Sequence, residues 1–213
     1  AALLAARVGA GKISGSSDRL TSEGPSGPSF HLKGRVMAKT DQDWVGLLRA
    51  IGPATHAKMS MADLRAACET AGLTAVRTLL ASGNLIFRSA RPATDLVATL
   101  QRVLQSFGLD NRVFLRSTDD LRQVLALNPM PRAAAARPNH LLVLFLDRAP
   151  GADAARALLA HGGPEPVQVH GREVFIDYLD GVARSRLTPA RLERLLGQPG
   201  TARNWNTVGK LAG

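Results

Sequence analysis

The stretch AVRTLLASGNLIFRS (75–89) reads as two short strands joined by a tight turn. AVRTLL (75–80) and NLIFRS (84–89) are rich in apolar residues, and Ala81-Ser82-Gly83 between them supplies the turn chemistry of a hairpin. What flanks this hairpin decides the fold. Upstream, WVGLLRAI (44–51) is apolar on both alternating faces, as an inner strand requires. Ser60 and Asp63 then form an S-x-x-D capping signal for a helix with Met61, Leu64, Cys68 and Ala71 on one face, ended by Gly72. Downstream, a helix opening at Pro92 and Thr94 carries the stripe Leu96, Leu100, Val103, Leu104 and Phe107, and NRVFLR (111–116) reads as a fourth strand. The order β-α-β-β-α-β is the split βαβ, ferredoxin-like motif.

The remainder nearly repeats it. Ser117 and Asp120 cap a helix running to Leu127, which Asn128-Pro129 stops, and MPRAAAARP (130–138) is a linker or short helix. HLLVLFLD (140–147) is a buried strand and ADAARALLAH (152–161) a helix. VQVH and EVFIDY pair around Gly171-Arg172. TPARLERLLG has Thr188 as N-cap, Pro189 in the first turn, and Leu187 stapled on Leu192. A closing helix is predicted to begin near Arg203. The second half thus reads as αβαββαα, giving an α+β protein of two ferredoxin-like halves with antiparallel sheets and C-terminal helices docked on the second half. Residues 37–116 form the first half and 117–213 the second. Residues 1–36, with their Gly/Ser/Pro-rich GKISGSSDRLTSEGPSGPSF, read as a disordered extension or non-native leader.

Composition narrows the function without naming it. With 213 residues, 45% hydrophobic and 21% charged, the chain is an ordinary globular protein, outside the disordered range. No apolar run approaches the roughly 20 residues that span a bilayer, so no membrane association is expected and the localisation expected is cytoplasmic. One cysteine excludes an internal disulfide framework and any CxxC motif. The net charge of +10 is mostly arginine, and such a balance bears on solubility and polyanion attraction rather than on fold.

Motifs of known chemistry are missing. Cys68 lies on an apolar helix stripe, where a free cysteine is a small buried hydrophobe. The five histidines form no H-x-x-x-H or H-E-x-x-H pair, so no metal is expected, and without GxGxxG or Walker patterns no cofactor is expected either. Asp177 and Asp180 read as a polar strand end rather than as paired acids. Two places concentrate donors. Gly181-Val182-Ala183-Arg184-Ser185-Arg186 leads into the Thr188-capped helix, whose first N–H groups with two adjacent arginines suit an anion. In TARNWNTVGK (201–210), read as helix, Trp205, Val208 and Leu211 face inward while Arg203, Asn206, Thr207 and Lys210 share an outer face.

These same segments carry a resemblance. LLRAI, MSMADLR, LLASGNLIF, SRLTPARLERLLG and the ending TARNWNTVGKL resemble the bacterial family catalogued as domain of unknown function 1697, over nearly all of the chain from Trp44 onward. The resemblance implies paired ferredoxin-like halves and no established activity. After LLRAI the family usually has a glycine-rich loop, where this sequence has Gly52-Pro53-Ala54-Thr55-His56-Ala57-Lys58. The reading is an uncharacterised protein that binds a small phosphate- or carboxylate-bearing ligand. Its site is expected at Ser82, Asn84, Arg184, Ser185, Arg186, Arg203, Asn204, Asn206, Thr207 and Lys210, with His56 and Lys58 as secondary candidates. One alternative is RNA or single-strand binding. That reading is not favoured, because stacking platforms need aromatics on central strands and only Trp44 and Phe87 are offered. The other alternative is an enzyme with an unrecognised site near His56, Lys58 and Asn84.

Overall fold

The computed structural model describes residues 40–213. The expected leader, residues 1–36, lies outside the described residues. The first half runs β1 (Gln42–Leu48), a single turn α1 (Pro53–His56), α2 (Met61–Thr70), β2 (Thr74–Leu79), β3 (Asn84–Ser89), α3 (Ala93–Ser106) and β4 (Val113–Ser117). Two helices follow, α4 (Thr118–Leu127) and α5 (Pro131–Ala136). The second half is β5 (Leu141–Leu146), α6 (Ala152–Leu159), β6 (Val167–His170), β7 (Glu173–Asp177), α7 (Pro189–Leu196), β8 (Gly200–Asn204) and α8 (Trp205–Ala212), with a 3₁₀ turn over Val182–Arg184.

Each half is a four-stranded antiparallel sheet in the ferredoxin-like order, β2-β3-β1-β4 and β6-β7-β5-β8. The capping signals do what their chemistry requires. Ser60 Oγ accepts from the Asp63 N–H at 3.1 Å, Ser117 Oγ from Asp120 at 3.0 Å, and Thr188 Oγ1 from Arg191 at 3.3 Å. Strand alternation then sorts side chains into three layers. One layer lies between the first sheet and α2 and α3, and holds Leu64, Cys68, Leu85, Phe87, Leu96 and Leu100. Another lies between the second sheet and α6 and α7, around Leu144, Leu158, Val174 and Leu192. The layer between the halves joins Val45, Leu47 and Phe114 to Val143, Phe145 and Phe175, and α4 and α8 add Leu121, Val124, Val208 and Leu211. Both faces of both sheets are therefore covered. Trp44 and Phe87, the aromatics a stacking platform would use, pack in the first layer instead.

Two elements differ from the sequence reading: the stretch read as a loop at 52–58 contains the single turn α1, and the C-terminal stretch gains a strand. Residues 200–204, expected to lead into helix at Arg203, form strand β8, so the second half with its flanking helices runs ααβαββαβα rather than αβαββαα. The stretch has no apolar alternation because β8 is an edge strand: Gly200 and Ala202 lie toward small spaces, and Thr201 and Arg203 turn to the opposite side. A Cβ on Gly200 would stand 2.7 Å from Leu144 Cδ1, which explains the glycine there. Pairing with β5, from Leu142↔Asn204 to Leu146↔Gly200, overrides the weak local preference. The helix starts two residues later than expected, at Trp205, capped by Asn204, whose Oδ1 accepts from the Thr207 N–H at 2.9 Å. Thr207 is accordingly buried and not on an outer face.

The hairpin turn between β2 and β3 makes its own demand. Gly83 has φ +75°, and a Cβ there would lie 2.6 Å from Ile51 Cγ1 and 3.0 Å from Leu48 Cβ. Gly83→Ala therefore combines a left-handed backbone cost of about 1–2 kcal/mol with a steric clash. We expect a loss of stability of about 2–4 kcal/mol in urea denaturation. An unchanged midpoint would contradict the close approach.

Candidate functional site

Arg203, on the edge strand β8, is the polar centre of the contact between the halves. Its side chain is 9% exposed and every N–H of its guanidinium has an acceptor. Nε donates to Asn84 Oδ1 at 2.5 Å, Nη1 to Thr201 Oγ1 and the Ala202 carbonyl at 2.8 Å, and Nη2 to the Leu48 carbonyl at 2.9 Å. The Ser82 and Gly83 carbonyls lie 3.1 and 3.3 Å from Nη2. Asn84 is fully buried, and its Nδ2 donates to the Leu79 carbonyl at 2.9 Å and to Ser82 Oγ at 3.0 Å. Ser82, Asn84 and Arg203 thus meet in space across 119 residues of chain.

The internal repeat shows what is unusual here. Arg116 is the penultimate residue of β4 as Arg203 is of β8, and it makes the matching contacts in reverse, from the first half into the second. Its Nη1 donates to the preceding carbonyl, Leu115, at 2.9 Å, and its Nη2 to Leu146, the last residue of β5, at 2.7 Å. Nε bonds the first residue of β7, Glu173, at 2.8 Å, where Arg203 bonds the first residue of β3, Asn84. Arg116 also lies over the Phe145 ring, 5.3 Å from its centroid. Burial lowers its pKa, and Glu173 works against that. Arg203 has no such compensation: burial alone lowers it to about 10, so it remains a cation at neutral pH with no carboxylate against it among the described residues. The amide at 84 has a physical reason, since that position must also donate to the Leu79 carbonyl, which a carboxylate cannot do. The consequence is a buried, uncompensated positive charge on one side of the repeat only.

That charge borders a cleft of about 360 Å³ between α7, β8, the outer face of β5 and the turn after β1. Leu142, Leu144, Val182, Leu192 and Leu196 make its walls apolar. Its polar lining includes Arg49, Glu193, Gln198, Thr201 and Arg203. Arg49 Nη2 is paired with Glu193 Oε2 at 2.6 Å, both side chains more than a third exposed. Gln198 is 6% exposed; its Nε2 donates to the Arg148 carbonyl at 3.0 Å, while its Oε1 is buried without a hydrogen-bond partner among the described residues. A native interior rarely leaves such an acceptor empty. Few polar groups set among apolar walls, at a volume within the roughly 300–1,000 Å³ of small-ligand sites, is the usual composition of a ligand pocket.

The other residues singled out from sequence lie elsewhere. Arg184 and Ser185 border a small separate hollow, where Ser185 Oγ donates to Glu165 Oε1 and accepts from the Leu187 N–H at 2.8 Å. Arg184 and Arg186 are exposed, and neither lines the cleft that Arg203 borders. Asn204 and Asn206 both reach Asn139 Oδ1, at 3.4 and 2.9 Å, and Lys210 is exposed on α8. His56 Nε2 bonds the Ala81 carbonyl at 2.8 Å, and Lys58 reaches the Gly108 carbonyl at 3.4 Å. Cys68 is buried, and desolvation pushes its thiol up to about 12, so it stays protonated. Asp177 pairs with Arg137. Among the described residues no group of three or more His, Cys, Asp or Glu side chains is placed to hold a metal.

Residues 42–175, well over half of the chain, match the family described as Protein of unknown function (DUF1697). The chain belongs to this family. No curated protein matches this DUF1697 chain. Among solved structures it is similar to a conserved bacterial protein, SP0830 from Streptococcus pneumoniae. The two are 19% identical, with a TM-score of 0.59, and the match covers 81% of this chain and 98% of that one. At that identity the likeness shows the shared fold of two α+β halves. Among the described residues of the DUF1697 chain, no helix is long and apolar enough to cross a membrane. The matched span ends at 175, so Glu193, Gln198, Thr201 and Arg203 of the cleft lie outside it, while Arg49 lies within it.

Proposed function

We propose that this protein binds a small organic monoanion, with an apolar body and one N–H or O–H donor, in the cleft beside Arg203. The carrying observation is the conjunction, among the described residues, of a buried cation without a counter-charge and a buried amide oxygen without a donor, on residues that line one cleft. Arg49 and Glu193 cancel each other, so the positive charge bordering the cleft is that of Arg203, which lies on the other side of β8 with its N–H groups already bonded and acts on the cleft through its field rather than by contact. A monoanion restores neutrality, and in a low-dielectric cleft that interaction is stronger than in water. Arg49 uses one hydrogen bond on Glu193, which leaves further N–H groups of its fork for the anionic head. A turn of the buried Gln198 amide toward the cleft brings its unpartnered Oε1 to the ligand's donor, and the leucine walls take its body.

N-acetyl-leucine carries all three features and serves as the probe. A ligand at 100 times its dissociation constant adds about 2.7 kcal/mol of stability, a rise of roughly 5–10 °C for a protein of this size. We expect a concentration-dependent rise of this kind, and a reduced one in Gln198→Leu, which removes the acceptor. Ala202→Leu, filling the cleft from β8, should abolish it. A parent protein that does not respond, or variants that respond as it does, would contradict the assignment.

A further inference from the structure

A second feature, on the opposite side of the first sheet, carries its own ligand chemistry. Arg91, in the turn into α3, folds back so that its Nη2 donates to Thr99 Oγ1 at 2.6 Å. Arg102, one turn further along α3, donates to the same oxygen from its Nη2 at 3.2 Å. Thr99 is 3% exposed, so a single buried hydroxyl anchors two guanidinium groups as nearest neighbours. Among the described residues neither arginine forms an ion pair with a carboxylate. The acid nearest in sequence, Asp95, offers Arg91 only its backbone carbonyl, at 3.5 Å.

Two like charges held together without an acid repel, and on an ordinary surface the long side chains would swing apart into water. Here they instead flank an open groove of about 570 Å³ between α2 and α3. Its floor is Ala67, Ala71 and Val103, small or apolar residues that leave room above them. The hydroxyls of Thr70 and Ser106 at its margins are spent on their own helix carbonyls, at 2.9 and 2.7 Å, so the groove's free donors are the remaining N–H groups of the two arginines. Paired guanidinium forks suit an oxyanion with several acceptor oxygens and two charges, which is a phosphate monoester rather than a carboxylate. The organic part of the ester would then rest on the alanine floor.

We infer that this groove is a binding site for a phosphate monoester, held by Arg91 and Arg102 and separate from the cleft beside Arg203. Titration calorimetry of the full chain with phenyl phosphate, and with inorganic phosphate in parallel, tests it. The expected result is saturable binding of phenyl phosphate, tighter than that of inorganic phosphate because the ring covers Ala67 and Ala71. Arg102→Ala, at an exposed position that the fold does not require, should weaken it at least tenfold, as should Arg91→Ala. Arg132→Ala removes an equal charge from an exposed position on α5, and Gln198→Leu alters only the other cleft; both should bind as the parent does. Loss in Gln198→Leu with retention in Arg102→Ala would place the anion in the cleft and overturn the inference. Equal weakening by Arg102→Ala and Arg132→Ala would reduce it to net charge, and no saturable binding would also overturn it.

Discussion

Replacing Arg203 by methionine is expected to cost about 3–5 kcal/mol, the range found when one partner of a buried charged network is removed. For a protein of this size that is a fall in melting temperature of roughly 6–20 °C. Methionine keeps much of the volume, so the loss is polar. The Leu48 carbonyl and Asn84 Oδ1 would remain buried without the arginine donor, while the Gly83 carbonyl would keep only the Leu48 N–H at 2.8 Å. These acceptors belong to the first half and the arginine to the second, so the two halves should lose their cooperativity first. Arg203→Lys should recover only part of the loss, because an ammonium cannot reach six acceptors in one plane. Urea denaturation followed by circular dichroism checks both, and a methionine variant within 1 kcal/mol of the parent would refute the role.

Arg116→Met, the matching change in the repeat, should cost about 3 kcal/mol. It removes the bonds to Glu173 and the Leu146 carbonyl and the contact with the Phe145 ring. The smaller expectation follows from Glu173, which keeps Arg172 at 3.8 Å as a second cation when Arg116 is gone. If the two arginines are reciprocal ties between the halves, the double variant should lose less than the sum of the single losses, because breaking either tie already loosens the shared layer. Strict additivity in the same denaturation experiment would show instead that each arginine serves only its own neighbourhood.

The two halves were largely legible from sequence because their signals are local. The boxes at Ser60–Asp63 and Ser117–Asp120, the cap at Thr188 and the Ala81-Ser82-Gly83 turn each act within four residues. Strand β8 was not legible. Its Gly-Thr-Ala-Arg-Asn has neither an apolar face nor β-rich composition, and what makes it a strand is β5 beside it. The same blindness extends to Arg203, since an arginine in a polar run reads as exposed, and only its acceptors 119 to 155 residues away bury it. Ser82, Asn84 and Arg203, which the sequence reading places in one candidate site, do meet in the fold through the Asn84–Arg203 and Ser82–Arg203 hydrogen bonds. Arg184 and Arg186 were grouped with them because a helix start near two cations looks like an anion site, but the fold turns that loop toward Glu165. The cleft draws on residues 49–50, 142–144, 178–182 and 189–203, so no local pattern marks it. Gln198 follows a helix-ending glycine and resembles any loop residue; its unpaired oxygen exists only in three dimensions.

If the cleft owes its ligand preference to the uncompensated charge of Arg203, the decisive comparison alters the ligand and leaves the protein intact. N-acetyl-leucine and N-acetyl-leucinamide have the same body and the same N–H donor and differ in the charge of one group. Titration calorimetry at low ionic strength should show the acid binding at least tenfold more tightly than the amide, a difference of about 1.4 kcal/mol. That margin should shrink as salt is added. Equal affinity for the two, or tighter binding of the amide, would contradict the account.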